Sequence, residues 1–311
     1  MPRYARMLLS TESEAIYHVV SRTALDGFPF GEVEKERFVN LLKNYSEIYF
    51  TEILGYAILD NHFHLVCKML PDSSFSDDEI KQRFRALYGK DKYFNPDQIP
   101  HFRERWASLS RFLQELKQTF SRYYNKLHDR KGTLWAERFK SVIVENGETL
   151  VNCLAYVDLN PVRAGIVEKP EDYRWCSLGY HAQTSNKDGF LSMDFGMVEF
   201  GVKCPDERFR RYRKFVYEKG ALDKHGQTDS VKIAPEILEK ERNNNFEIDL
   251  IDRFRYRTRY FTDSGILGSK SFVYEHYQLF KDRFQSKKEK IPKKVKGLDG
   301  IFSLKQLSEL S

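Results

Sequence analysis

The sequence predicts an α+β fold, with one antiparallel sheet covered by helices on one face and a mainly helical C-terminal extension. Two observations lead to this prediction. Short apolar, β-branched segments alternate with segments of helical periodicity, in the order strand, helix, strand, strand, helix, strand, helix. A single antiparallel sheet with packed helices accommodates that order. Beyond about residue 200, two further helical patterns occur in a basic context.

The first half of the pattern is a strand, a helix and a hairpin. Residues 14–22 are rich in β-branched and aromatic residues, which favours a strand. Residues 32–49 carry apolar side chains at helical spacing. Two apolar strands, 51–59 and 62–69, flank Asp60-Asn61. Because Asp and Asn tolerate left-handed backbone, this pair predicts a tight two-residue turn.

The second half contains an insertion and two long elements. Residues 72–105 are polar, and we expect an irregular insertion or lid with one short helix near 77–88. The later elements predicted are helix 106–127, strand 139–144, helix 148–159, turns in 173–188, and helices near 206–219 and 269–285. Pro161 should end the helix 148–159 and leave Asn160 at its C-terminus. We therefore expect domains at 1–185 and 200–311.

Composition and charge narrow the class of protein. The chain is 41% hydrophobic and 31% charged, and no apolar run reaches the roughly 18 residues of a membrane span. The four cysteines are far apart, so we expect reduced thiols in a cytoplasm rather than a disulfide framework or a zinc ribbon. Residues 201–311 hold 25 Lys and Arg against 17 Asp and Glu. Either a nucleic-acid surface or an ordinary solvated surface accounts for this excess.

His62-Phe63-His64 is the first candidate site. Residues two apart on a strand face the same side, so the two imidazoles can converge on one ion while Phe63 points into the core. Metal ligation requires neutral imidazoles. Such a triplet alone is more often structural, but its apolar flanks place polar rings on an otherwise buried strand.

Tyr156 and Asn160 are the second candidate. Leu150, Leu154 and Val157 form the apolar stripe of their helix, and Tyr156 and Asn160 lie together at its edge. An amide oxygen near the negative end of a helix is an acceptable ligand for Mg²⁺ or Mn²⁺. Core packing for the tyrosine and an ordinary helix stop for the asparagine are the alternatives. Two further helical tyrosines, Tyr123 and Tyr124, are rival nucleophiles without a ligand-type residue one turn on.

Three segments together resemble a known family. They are His62-Phe63-His64, residues 132–140 (GTLWAERFK) and residues 156–165 (YVDLNPVRAG). The first resembles the HUH motif, and the set resembles the REP-associated tyrosine transposases, which are single-tyrosine HUH endonucleases. The resemblance covers roughly residues 1–185. Residues 255–284 also resemble the C-terminal extension of longer members.

The resemblance implies a fold, a chemistry and a set of site residues. It implies a ferredoxin-like sheet with the histidine strand central, Tyr156 as nucleophile, and His62, His64 and Asn160 as ligands of a divalent Mg²⁺ or Mn²⁺ ion. The third ligand is often Gln in related transposases, and the insertion 72–105 is longer than in compact members. The expected partner is single-stranded hairpin DNA, acted on in the bacterial cytoplasm near the nucleoid by a homodimer or a monomer.

Candidate DNA contacts lie before the tyrosine helix, after it and in the extension. Trp135 and Arg138 could stack on or clamp an unpaired base, although a core role for Trp135 is equally open. Arg163 follows the tyrosine helix. Arginines alternate with other residues at Arg253, Arg255, Arg257 and Arg259. On a strand these four would share one face and could track a phosphate backbone; a solvated strand paired to acidic neighbours is the alternative.

The expected function is therefore nicking and joining of hairpin-bearing (REP-like) single strands through a 5′-phosphotyrosine. Two alternatives stay open at this point. One is a transposase-derived DNA-binding regulator whose chemistry is silent. The other is a metal-dependent phosphodiesterase that uses His62 and His64 with water.

Overall fold

The computed structural model describes residues 8–221, 233–247, 264–268, 270–280, 293–294 and 302–305. Most residue contacts fall within one of two compact units, Met1–Glu247 and Ile248–Ser311. The elements of the first unit are β1 (Ala15–Arg22), α1 (Glu32–Ile48), β2 (Thr51–Ile58), β3 (His62–Met69), α2 (Asp77–Tyr88), α3 (Ile99–Trp106), α4 (Leu109–Leu127), β4 (Lys140–Val144), α5 (Glu148–Asp158), α6 (Asn160–Arg163), α7 (Ser177–Thr184), α8 (Pro205–Ala221) and α9 (Pro235–Asn243).

The four strands form one antiparallel sheet in the order β2-β3-β1-β4. This confirms the predicted α+β class, and β3 is central, as expected for a ferredoxin-like sheet. The Leu59 N–H donates to the His62 carbonyl at 2.8 Å, which closes the hairpin over Asp60-Asn61. The two-residue turn is thus also as predicted.

Helices pack on both faces of the sheet, so the expectation of helices on one face was wrong. Phe63 is fully buried and its ring centre lies 4.7 Å from that of Phe38 on α1, on the side that α1 shares with α4. Its neighbours His62 and His64 point to the opposite side. There α5 lies over β2, β3 and β4. The sequence did not distinguish these arrangements, because both faces of the central strands β1 and β3 carry apolar residues, although on the histidine face these alternate with polar ones.

The insertion is a packed helical layer, and this corrects the expectation of an irregular lid. Ser76 and Glu79 form a reciprocal capping box that starts α2. Phe84 on α2 packs against Phe102 on α3, whose ring lies 4.9 Å from Trp106. The predicted helix 106–127 is divided, because extended Ser108 caps a separate α4. Aromatic burial therefore orders this polar segment.

Helices α8 and α9, which follow residue 200, belong to the first unit. On α8, Arg213 is 1% exposed and donates through Nε to Glu171 at 2.6 Å. The same guanidinium lies 2.9 Å from Glu241 on α9, which also pairs with Lys169 at 3.0 Å. Buried charges of this kind are tolerated only when paired. The functional division at 185–200 stays a prediction; by contact, residues as far as 247 belong with the sheet.

The second unit combines a helix with a small sheet. Helix α10 (Lys270–Phe280) and helices α8 and α9 agree with the mainly helical extension predicted. Strands β5 (Ser264–Gly268), β6 (Lys293–Lys294) and β7 (Phe302–Lys305) form an antiparallel sheet in the order β5-β7-β6, which was not predicted.

The helices and the cysteines test two expectations from composition. None of the helices in the described ranges combines the length and apolar character needed to cross a membrane. The four cysteines are free thiols, with Cys67 and Cys176 buried and Cys204 exposed.

Replacing His181 by leucine should remove part of the acid sensitivity of the fold. His181 packs against Phe195 and Phe209, and burial lowers its pKa to about 4. Above the unfolded-state pKa of about 6.5, neither state is protonated; below it, only the unfolded state gains a proton until about pH 4. The free energy of unfolding therefore falls by about 1.4 kcal/mol per pH unit across that window.

Urea unfolding at pH 7 and pH 5 measures this effect. The unmodified protein should lose about 2 kcal/mol more between these pH values than His181→Leu does. Other groups titrate in both proteins, so their contributions cancel in the comparison. Equal losses would show that His181 is not held neutral.

Candidate functional site

The histidine strand places two imidazoles side by side above the sheet. The ring centres of His62 and His64 are 5.2 Å apart, and His64 is buried while His62 is half-buried. Strand alternation and the burial of Phe63 on the other face fix this arrangement. The two imidazoles thus share one face of the strand, as predicted, and their convergence on one ion stays a prediction.

A third imidazole, His18 on β1, was missed by the sequence analysis. Its ring lies nearly coplanar with that of His64 and meets it edge to edge: the ring centres are 5.2 Å apart, the planes differ by 11°, and His18 Nε2 lies 3.0 Å from His64 Nδ1. In the ladder His18 is opposite Val66 and His64 is opposite Val20, so the two histidines are two rungs apart and share one face of the sheet. The available signal was a polar residue inside an apolar strand, but its partner depends on the register of distant strands.

Tyr156 lies beside this cluster. Its ring centre is 5.7 Å from that of His64 and 6.0 Å from that of His18, edge-on in both cases. The side chain is 43% exposed, so the phenol is accessible from solvent. Leu150, Leu154 and Val157 are buried as the predicted stripe. The helix thus buries one side in the core and presents Tyr156 at its edge, next to the imidazoles.

Small residues on β2 let α5 approach the sheet. A Cβ on Gly55 would lie 2.7 Å from Leu154 Cδ2, closer than real Cβ contacts come, and 3.1 Å from Ser177 Oγ, which is a tight contact. The same serine donates to the Tyr56 carbonyl and accepts from its N–H, where β2 is bulged. Leu154 and Tyr156 are on the same helix, so the close packing of Leu154 on Gly55 fixes how far α5, and with it the Tyr156 ring, lies from the histidines.

Helix α8 holds α5 at its C-terminal end, where Asp158 lies. The Tyr212 hydroxyl donates to buried Asp158 at 2.6 Å, and the Leu178 N–H donates to the same carboxyl at 3.1 Å. Burial raises the pKa of Asp158 to about 7 despite these hydrogen bonds. The residue two positions after Tyr156 is thus tied to α7 and α8.

Side chains also satisfy the C-terminal carbonyls of α5. Pro161 has no N–H to give to Val157, and Asn160 Nδ2 donates to the Val157 carbonyl at 3.3 Å and to the Tyr156 carbonyl at 2.9 Å. Arg163 Nη1 donates to the Tyr156 carbonyl at 3.2 Å, and its guanidinium lies 4.9 Å from the Tyr156 ring centre. Asn160 begins the short helix α6 and keeps its side-chain oxygen as a possible ligand.

Electrostatics keep the imidazoles neutral. Burial, followed by the neighbouring His18 and His62, lowers the pKa of His64 to about 3. Burial and then the Arg22 guanidinium lower the pKa of His62, and burial lowers that of His18. Neutral imidazoles are the form that binds metal ions. Arg22 itself is exposed and lies directly opposite His62 in the ladder.

The donor set fits a divalent ion in part. In the described portion of the chain, no group of three His, Cys, Asp or Glu side chains is arranged to hold a metal. His62 and His64 are nevertheless neutral and have ring centres 5.2 Å apart, a separation open to two imidazoles with metal–nitrogen distances of about 2.1 Å. An ion there would take oxygen ligands as well, from an amide such as Asn160 or from phosphate.

The remaining candidates lie apart from this cluster. Trp135 packs on Phe63, with ring centres 5.6 Å apart, and its Nε1 donates to the Lys117 carbonyl, which places it in the core on the opposite face. Arg138 is exposed in the loop before β4. Arg253, Arg255, Arg257 and Arg259 lie outside the described residues. Of the predicted DNA contacts placed by the structure, Arg163 alone contacts Tyr156.

The rival tyrosines are on the far side of the sheet. Tyr124 is 4% exposed and its ring packs on His128 and Phe30. Tyr123 is half-buried on the same helix, α4. Neither ring contacts the histidine cluster, so Tyr156 is the tyrosine that the fold brings to it.

Comparison with solved structures finds a REP-associated tyrosine transposase bound to a REP hairpin. The chains are 15% identical, the match covers 62% of this chain and 90% of that one, and the TM-score is 0.41. A likeness at this level does not establish a shared function. No protein-family model and no curated protein matches the chain.

Gly55→Ala should lift α5 from the sheet and destabilise the protein by about 1–3 kcal/mol. Leu154→Val removes the methyl group that the new Cβ would meet, so in the double variant the two losses should be less than additive. Urea unfolding of the four proteins in this cycle measures the coupling. Simple additivity would mean that this contact does not set the helix position.

Proposed function

We propose that this protein is a metal-dependent single-stranded DNA endonuclease and strand transferase with Tyr156 as its nucleophile. One observation carries the proposal: an exposed phenol from α5 lies 5.7 Å, ring centre to ring centre, from a neutral imidazole of a histidine pair on β3. About 90 residues of chain separate these groups, and the rest of α5 is buried by its apolar stripe.

The proposed reaction exchanges one phosphodiester for another. Tyr156 Oη attacks phosphorus, and the bond from phosphorus to the 3′-oxygen breaks. The phenol gives up its proton, and the leaving 3′-oxygen takes one up. The products are a 5′-phosphotyrosine and a free 3′-hydroxyl. Attack by a 3′-hydroxyl on that link joins strands without external energy, because the phosphoester is retained.

The residues of the chain supply binding and charge. His62, His64 and Asn160 would hold a Mg²⁺ or Mn²⁺ ion, which when bound supplies Lewis-acid stabilisation of the phosphoryl oxygens. The Arg163 guanidinium, 4.9 Å from the Tyr156 ring centre, would place positive charge from this chain beside the phosphate under attack.

The same proposal extends to partner and context. We expect hairpin-bearing, REP-like single strands as substrate, the basic residues beyond 200 as an accessory DNA-binding region, and a bacterial cytoplasmic protein near the nucleoid. Whether the active form is a homodimer or a monomer does not alter the chemistry at Tyr156. The basic excess of the extension supports a polyanionic partner.

Tyr156→Phe should abolish a covalent protein–DNA adduct while leaving DNA binding unchanged, because the substitution removes only the hydroxyl. The assay is a denaturing gel with labelled hairpin single strands and Mn²⁺, alongside a binding measurement. Tyr123→Phe is the matched control and should form the adduct normally. An adduct that survives in Tyr156→Phe would place the nucleophile elsewhere, and cleavage without any adduct would favour a hydrolase.

His62→Ala combined with His64→Ala should remove metal-dependent cleavage. The two imidazoles are the only neutral nitrogen donors of the proposed set, and Asn160 alone gives an ion little affinity. Cleavage is followed with Mn²⁺ and with a chelator. Full activity of the double variant in the presence of chelator would refute the metal role, whereas DNA binding without cleavage by the unmodified protein would favour a silent regulator.

A further inference from the structure

We propose that His18 and Asn61 are positioning residues, which hold His64 and His62 so that Nε2 of each faces a shared metal ion. This inference rests on the proposed function and deepens it, because it assigns the ligand atoms and the groups that orient them. Neither His18 nor Asn61 belongs to the residues that sequence reasoning placed at the site.

Asn61 fixes the tautomer of His62. Its Oδ1 lies 2.7 Å from His62 Nδ1, while its Nδ2 donates to the Gly27 carbonyl at 3.4 Å. The second contact settles which side-chain atom faces the imidazole: the oxygen, which can only accept. His62 Nδ1 therefore carries the hydrogen, and the lone pair of this neutral ring is on Nε2.

For His64 the inference assigns the donor role, because the contact with His18 fits either direction. His64 Nδ1 lies 3.0 Å from His18 Nε2, so one of these nitrogens donates and the other accepts. With His64 as donor, its lone pair is on Nε2, the same atom as in His62. Ligating histidines commonly give their second N–H to an acceptor that orients the ring, and an imidazole nitrogen is here the acceptor.

The two orienting groups are themselves held by the fold. His18 is on β1, which pairs along its length with β3, so its place beside His64 is fixed by the ladder. Asn61 is in the two-residue turn that the Leu59–His62 hydrogen bond closes. Both contacts thus come from backbone elements that do not need the ion in order to form.

The tautomer can be measured before any metal is added. Long-range ¹H–¹⁵N spectra of the full-length protein should show His64 and His62 protonated at Nδ1. His18→Phe should shift His64 toward the Nε2–H form, and Asn61→Ala should do the same for His62. A His64 ring protonated at Nε2 in the unmodified protein would overturn the inference, whatever the metal does.

Mn²⁺ titration by calorimetry supplies the second readout. His18→Phe should weaken the Mn²⁺ Kd about 10–100-fold, and His18→Gln, whose side-chain oxygen can accept in place of Nε2, should recover most of the affinity. Asn61→Ala should weaken binding and Asn61→Asp should retain it. His101→Gln, at an exposed histidine on α3, is the control and should bind as the unmodified protein does.

The outcomes separate this inference from the proposed function. An unchanged Kd in folded His18→Phe and Asn61→Ala overturns the inference, as does equal weakening by His18→Gln and His18→Phe. An unmodified protein that binds Mn²⁺ as described but forms no Tyr156 adduct refutes the endonuclease proposal alone. Absence of Mn²⁺ binding by the unmodified protein refutes both.

Discussion

The antiparallel pairing of β1 with β3 is the constraint on which the site depends. Its register sets Arg22 opposite His62 and places His18 two rungs from His64, all on one face. A slip by one residue would turn the histidines toward α1 and α4 and bring Phe63 to the face that α5 covers. Because Phe63 packs on Phe38, that slip would cost a buried aromatic contact as well as the site. Core packing and site geometry therefore specify the same register.

Much of the fold could be predicted from local pattern. The strands, the hairpin turn and helices α1, α2 and α5 follow from alternation, helical spacing and turn residues, which act between near neighbours in the chain. The same-face placement of His62 and His64 follows from strand geometry alone. The meeting of Tyr156 with this pair does not: periodicity placed Tyr156 at the edge of a helix, and the family resemblance supplied its partner.

The parts that could not be predicted depend on distant contacts. His18 became a site residue through strand register. The division of the helices between two faces could not be predicted, because β1 and β3 carry apolar residues on both faces. Asn160 was expected as a metal ligand through its amide oxygen, which stays a prediction. That its amide nitrogen donates to the Tyr156 and Val157 carbonyls was not foreseen. Helix α7 is capped by Cys176, whose sulfur accepts a hydrogen bond from the Gly179 N–H. Cysteine is not among the usual capping residues, so the sequence does not reveal this helix start.

The buried ion cluster around Arg213 has a consequence for how the chain can be dissected. A protein that stopped near residue 200 would keep Glu171 and Asp158 and lose the Arg213 and Tyr212 side chains that bind them. Stripping a buried carboxylate of its partner costs about 3–5 kcal/mol, a large share of the roughly 5–15 kcal/mol that holds a domain folded. The segments before and after residue 200 look separable in the sequence but stabilise each other in the fold. The helix that bears Tyr156 is held in part by a hydrogen bond from Tyr212, some fifty positions downstream.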